Sequence, residues 1–180
     1  MRFGFLNLGS FSKQNANRPT PPDKVERHAL NILVDALCLG LLLACSVLLV
    51  VRWGEIPQQI PTHYNFAGEV DGYGGKGGLI TMLALSWLLF VGISVLERFP
   101  KLWNTGVQVT PENQAEVYRL LLDMVSVLKL LCVAVFVFLL VFMACEMPLP
   151  GLFTPIYMLL IFGELGYYLF RLAKAGKNKS

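Results

Sequence analysis

Four long apolar runs, each closed by charged or Pro/Gly-rich sequence, leave few folds open to this chain. Ala29 to Val51 carries one charge, Asp35, and at helical rise its length of about 23 residues covers a ~30 Å hydrocarbon core. Leu79 to Leu96 is an uncharged run of about 18 residues, enough for a short span, ended by Glu97, Arg98 and Pro100. The third run starts in amphipathic form after Thr110 and Pro111, a capping residue followed by a Pro suited to the first helical position. There Glu112, Glu116, Arg119 and Asp123 alternate with Val117, Leu120, Leu121 and Met124, and past Val125 the sequence is almost wholly apolar to Cys145. Pro148 and Pro150 then form a turn into a fourth run, Leu152 to Leu172. A hydrophobic share of 55% and a mean hydropathy of +0.58 are too apolar for a soluble domain of this size. The expected fold is an all-α polytopic membrane protein, a four-transmembrane-helix bundle. Its spans fall at about 29–51, 79–96, 124–145 and 152–172, with loops at 52–78 and 97–123.

Basic residues give the orientation. Residues 1–28 read as a mobile basic tail holding Arg2, Lys13, Arg18, Lys24 and Arg27, broken by Pro19, Pro21 and Pro22. The loop 97–123 and its helix start add Arg98, Lys101 and Arg119, and the carboxyl end, with a tail at 173–180, adds Arg171, Lys174, Lys177 and Lys179. The first loop holds only Arg52 and Lys76. Both termini are therefore expected in the cytoplasm and the loop 52–78 outside, in a multi-pass membrane protein. A net charge of +3 confined to tails and loops is no nucleic-acid footprint, so no nucleic-acid partner is expected. The four cysteines, Cys38, Cys45, Cys132 and Cys145, lie in apolar runs without CxxC spacing and read as small buried hydrophobes. No metal and no cofactor are expected.

Chemistry has two places to sit. In the loop, Pro57 and Pro61 deny helix and favour an extended or turning path. If it is extended, His63 and Asn65 share a face, with Glu69 and Asp71 following through a glycine turn at Gly68. Such groups can ligate a divalent ion, bind a cationic ligand or knit the loop together. Gly72, Gly74 and Gly77 match GxGxxG, but the run leads into a membrane span, not out of a strand and into a cytosolic helix, so it is no dinucleotide fingerprint. Lys76 is expected to meet lipid phosphates or Asp71. Inside the bilayer, Asp35, Lys129 and Glu164 are costly charges at similar depth, expected as a latch between helices or as a proton or ion relay. Small residues such as Gly40, Ala44, Gly92 and Ser94 permit helix association and a homo-oligomer.

The loop Ile60, Pro61, His63, Asn65, Gly68, Asp71, Gly72, Gly74 and Lys76, in the pattern IPxHxNxxGxxDGxGxK, resembles a bacterial membrane domain of unknown function. That domain also occurs in SdpI-type immunity proteins, which protect against a secreted peptide toxin. A second patch, Asn104, Val109, Thr110, Glu112, Asn113, Tyr118 and Arg119 followed by Lys129, is similar too. The resemblance implies a bacterial cytoplasmic-membrane protein with this loop as its hallmark; His63, Asn65, Gly68, Asp71, Gly72 and Lys76 are expected as its ligand-binding residues. The expectation is a protein that is not an enzyme and presents an ordered extracytoplasmic loop to a peptide toxin, a membrane-protein partner or membrane lipids. The alternative is a transporter, or a transporter accessory subunit, that uses the Asp35, Lys129 and Glu164 cluster.

Overall fold

Each apolar run becomes one helix in the computed structural model, which describes residues 19–177. Residues 1–18 and 178–180, with Arg2, Lys13, Arg18 and Lys179 of the expected tails, lie outside the described residues. The elements run α1 (Ala29–Arg52), β1 (Gln59–Tyr64), β2 (Val70–Gly75), α2 (Gly77–Leu96), a 3-10 turn (Pro100–Leu102), α3 (Gln114–Ala144) and α4 (Phe153–Lys177). All four helices are long and apolar enough to cross a membrane, and the chain is a multi-pass membrane protein.

The buried stripe of α1 shows how such a helix finds its neighbours. Asn31, Val34, Cys38, Leu42, Cys45 and Leu49 are buried, at spacings of three or four, while Ile32, Leu33, Leu43, Val47 and Val50 remain exposed. In water that exposed face would be a large apolar patch; against lipid tails it is the proper solvent boundary. The stripe packs on α3, the central helix, against which α2 and α4 also pack. By contrast, α1 and α2 touch lightly, joined by the Trp87 indole N–H donating to Ser46 Oγ at 3.1 Å. The fourth helix attaches at its two ends. Phe153 stacks on Phe138 with ring centroids 4.6 Å apart, and Leu172 and Ala175 join a cluster with Val109, Val117 and Leu121.

The structure corrects the sequence reading in four places. The connection between α1 and α2 is a two-stranded antiparallel sheet, so the fold is not strictly all-α. Glycines opposite His63 and Thr62 leave room for close strand pairing, which the sequence reading treated only as loop. Helix α3 starts at Gln114, not at Pro111, because Asn113 is its cap residue and its side chain accepts the Thr110 N–H at 2.8 Å. Helix α4 continues through Lys177, so residues 173–177 are helical rather than tail. Finally, residues 19–28 form a strap across the start of α3. The Gln114 side chain donates to the Thr20 carbonyl at 2.6 Å, Lys101 pairs with Asp23 at 2.6 Å, and Val25 packs beside Tyr118. That ion pair holds the Asp23 carboxyl below its ordinary range, chiefly through the Lys101 hydrogen bond. Of the cysteines, Cys38 and Cys45 are buried and Cys132 partly so, whereas Cys145 is exposed.

The path from α3 to α4 is set by how α3 ends. The helix closes with the Glu146 N–H on the Met143 carbonyl at 3.2 Å and the Met147 N–H on the Phe142 carbonyl at 3.0 Å, with Glu146 at φ 53°. This is a left-handed helix stop in a position that normally takes glycine. It turns the chain toward the hairpin.

Candidate functional site

The helices present polar chemistry at two opposite ends: the β1–β2 hairpin at one, and a buried charge network at the other. In the hairpin, Gln59 pairs with Gly75, Ile60 with Gly74, Pro61 with Tyr73, His63 with Gly72 and Tyr64 with Val70, with irregular register on either side of His63. Its inner side is apolar: Ile60 is fully buried with Leu79, Leu49, Leu140 and Met143. The polar motif residues act on one another. His63 Nδ1 and Asp71 Oδ1 are 2.5 Å apart, on a surface where the His63 side chain is 73% exposed. Asn65 closes the tip: its amide donates to Glu69 Oε2 at 2.9 Å, its side-chain oxygen accepts the Glu69 N–H at 3.0 Å, and its own N–H donates to the Glu69 carbonyl at 2.9 Å.

Two glycines are required by close approach. Gly68 has φ +87°, and a Cβ there would lie 2.6 Å from the Leu149 carbonyl oxygen. The Gly68 carbonyl accepts the Leu149 N–H at 2.8 Å, and the Tyr64 hydroxyl donates to the Met147 carbonyl at 3.2 Å, so the tip is fastened to the α3–α4 connection. A Cβ on Gly72 would meet that of His63 at 2.9 Å. Partial burial, with Tyr73 nearby, pushes the Tyr64 phenol above its ordinary pKa. Lys76 does not pair with Asp71. Its ammonium donates to the backbone carbonyls of Trp53 and Ile56, at 3.1 and 3.3 Å, and sits 4.7 Å from the centre of the Trp53 ring. It therefore closes the carboxyl end of α1, where unpaired carbonyls attract a cation. The exposed groups of the hairpin include Phe66 and Tyr73, both strongly exposed, the His63 ring, and the carboxylates of Glu69 and Asp71.

At the other end, Lys129 is 0% exposed and its ammonium touches Asp35 Oδ1 at 2.6 Å, Glu97 at 2.9 Å and Ser94 Oγ at 3.2 Å. Of the three charges expected to meet, Asp35 and Lys129 do. Glu164 does not: both its carboxylate oxygens are buried and no donor among the described residues reaches them. Its place is taken by Glu97, whose side chain is 1% exposed. The sequence reading took Glu97 as the polar stop of a span. Ser94 and Glu97 lie one turn apart on one face, and antiparallel packing of α2 on α3 carries that face to Lys129.

Sequence reasoning also missed Arg27, Asn31, Asp123 and Ser126. Arg27 reaches Asp35 Oδ2 at 2.6 Å and Glu97 Oε2 at 3.5 Å. The Asn31 amide donates to Asp123 and to Ser126, each at 3.1 Å, and Ser126 donates to Glu97 at 3.0 Å. His28 lies 3.3 Å from Asp123. The spacing of Arg27, Asn31 and Asp35 at four-residue steps, and of Asp123, Ser126 and Lys129 at three, was the available signal.

Among the described residues, no group of three or more His, Cys, Asp or Glu is placed to hold a metal ion. No curated protein and no solved structure was found to match the chain. Residues 40–86, the second half of α1, the whole hairpin and the first half of α2, match a family described as a domain of unknown function (DUF1648).

Proposed function

We propose that this is a bacterial cytoplasmic-membrane protein, not an enzyme, that uses the hairpin as an extracytoplasmic recognition element for a membrane-active peptide, in the manner of SdpI-type immunity proteins. One observation carries the reading. The polar motif residues are spent holding the hairpin rigid and pinned to the α3–α4 connection, and that leaves Phe66 and Tyr73 displayed on an ordered support. Rigid aromatic side chains supply contact area at low entropic cost, and they dominate recognition surfaces. His63, Asn65, Gly68, Asp71, Gly72 and Lys76 then serve recognition by shaping the hairpin, with the His63 ring and the Asp71 carboxylate exposed.

The test is protection of a sensitive bacterial strain from membrane-active peptides. The intact chain is compared with an equally expressed Phe66→Ala/Tyr73→Ala variant. The expected result is that the intact chain raises the inhibitory peptide concentration and that the variant loses most of that protection. Equal sensitivity of cells with and without the intact chain would end the immunity reading.

A second reading, a transporter or accessory subunit, is favoured by the placement of Lys129 between Asp35 and Glu97 inside the helix bundle. Ion or proton flux into proteoliposomes, present with the intact chain and absent with Lys129→Met, is its test.

A further inference from the structure

The charge network contains a cation that does not belong to the helices. Asp35 and Glu97 each have two cationic neighbours: Lys129, fully buried on α3, and Arg27, on the non-helical strap of residues 19–28. The guanidinium of Arg27 meets three acceptors, Asp35 Oδ2 at 2.6 Å, the Asn31 carbonyl at 3.3 Å and Glu97 Oε2 at 3.5 Å. All three contacts are made by one terminal nitrogen, Nη2, on which the two carboxylates and the carbonyl converge. Beyond Arg27, the strap that delivers it is held by the Gln114–Thr20 hydrogen bond, the packing of Val25, and the His28–Asp123 and Asp23–Lys101 pairs, the last of them largely exposed. A cavity of about 460 Å³ lies between the strap and the start of α3, lined there by Gln114, Ala115, Tyr118 and Arg119. Loss of Arg27 from its place would leave two carboxylates facing one lysine, an excess negative charge beside a buried Glu97.

We infer that Asp35 and Glu97, fixed by Lys129, form a receptor for one guanidinium-class cation, which Arg27 fills as a tethered occupant and which opens to a free guanidinium compound when the strap lifts. The strap is thus a gate over the charged end of the helices. Nothing in this assignment depends on what the hairpin recognises.

Thermal unfolding of the purified full chain in detergent tests it, with guanidinium chloride at about 20 mM as the probe, far below denaturing levels, and with sodium and tetramethylammonium chloride as ionic-strength controls. Arg27→Ala is expected to lower Tm by roughly 5–10 °C. Guanidinium, and neither control salt, should restore at least half of that loss. Restoration should vanish in Arg27→Ala/Glu97→Gln. An unchanged Tm in Arg27→Ala overturns the inference, as does guanidinium acting no better than sodium or restoration that persists without Glu97. If Arg27→Ala does not fold, Arg27→Lys keeps the charge and removes the guanidinium. Guanidinium should then raise the Tm of that variant above its value in sodium, and no such rise overturns the inference.

Discussion

The two polar ends solve opposite problems. At the hairpin end, the groups are wet and their pairs are close in sequence: His63 with Asp71, Asn65 with Glu69. At the charged end, the centre of the network is buried and its pairs are distant: Lys129 with Asp35 and Glu97, Asn31 with Asp123 and Ser126, with only Asp35 and Asp123 partly exposed. Water screens the first set, so its contribution is mainly local shape. The buried members of the second set have little water to fall back on, and each is held to the others by the cost of being left alone. Polar residues of similar type therefore define a surface at one end and the helix arrangement at the other.

Substitutions at the two ends should separate accordingly. Lys129→Met, which leaves the buried Glu97 carboxylate only Ser126 and the more distant Arg27, is expected to cost about 3–5 kcal/mol and to reduce the folded yield in detergent. Lys129→Met/Glu97→Gln leaves Arg27 paired with Asp35 and should recover part of that loss; a double variant worse than the single would show that the network does not act as a charge-balanced unit. Gly68→Ala forces a Cβ into the Leu149 carbonyl at φ +87° and should cost about 2–3 kcal/mol. Faster hydrogen exchange confined to the hairpin and the α3–α4 connection would locate that effect. Lys76→Met removes two hydrogen bonds and the contact with the Trp53 ring, for about 1–2 kcal/mol by the same unfolding measurement. Asp71→Asn breaks only an exposed pair and should change stability by less than about 1 kcal/mol. A larger loss there would erase the contrast between the ends.

The helices were legible in sequence because length and hydropathy alone decide whether a segment can span a bilayer. The hairpin was half legible: Pro57 and Pro61 denied helix, but pairing depended on glycines whose partners across the turn no local pattern names. Among the costly charges, depth correctly set Asp35 beside Lys129. Depth says nothing of which face a helix turns inward, and that is why Glu164 was expected where Glu97 stands. The strap was the least legible part. A Pro-rich basic stretch reads as a tail, and only Arg27 and His28, in step with Asn31 and Asp35, hinted that it docks.

The central place of α3 has a consequence for how the protein is made. Synthesis delivers α1, the hairpin and α2 first, yet these helices barely touch one another, and their carboxylates Asp35 and Glu97 await a lysine that has not emerged. Until α3 arrives, Arg27 is the cation already at hand for both acids, and the excess negative charge favours the hydrated membrane surface. Insertion of the third helix is therefore the committing step of assembly: Lys129 draws both acids inward, and two loosely associated hairpin arms become one unit in the bilayer.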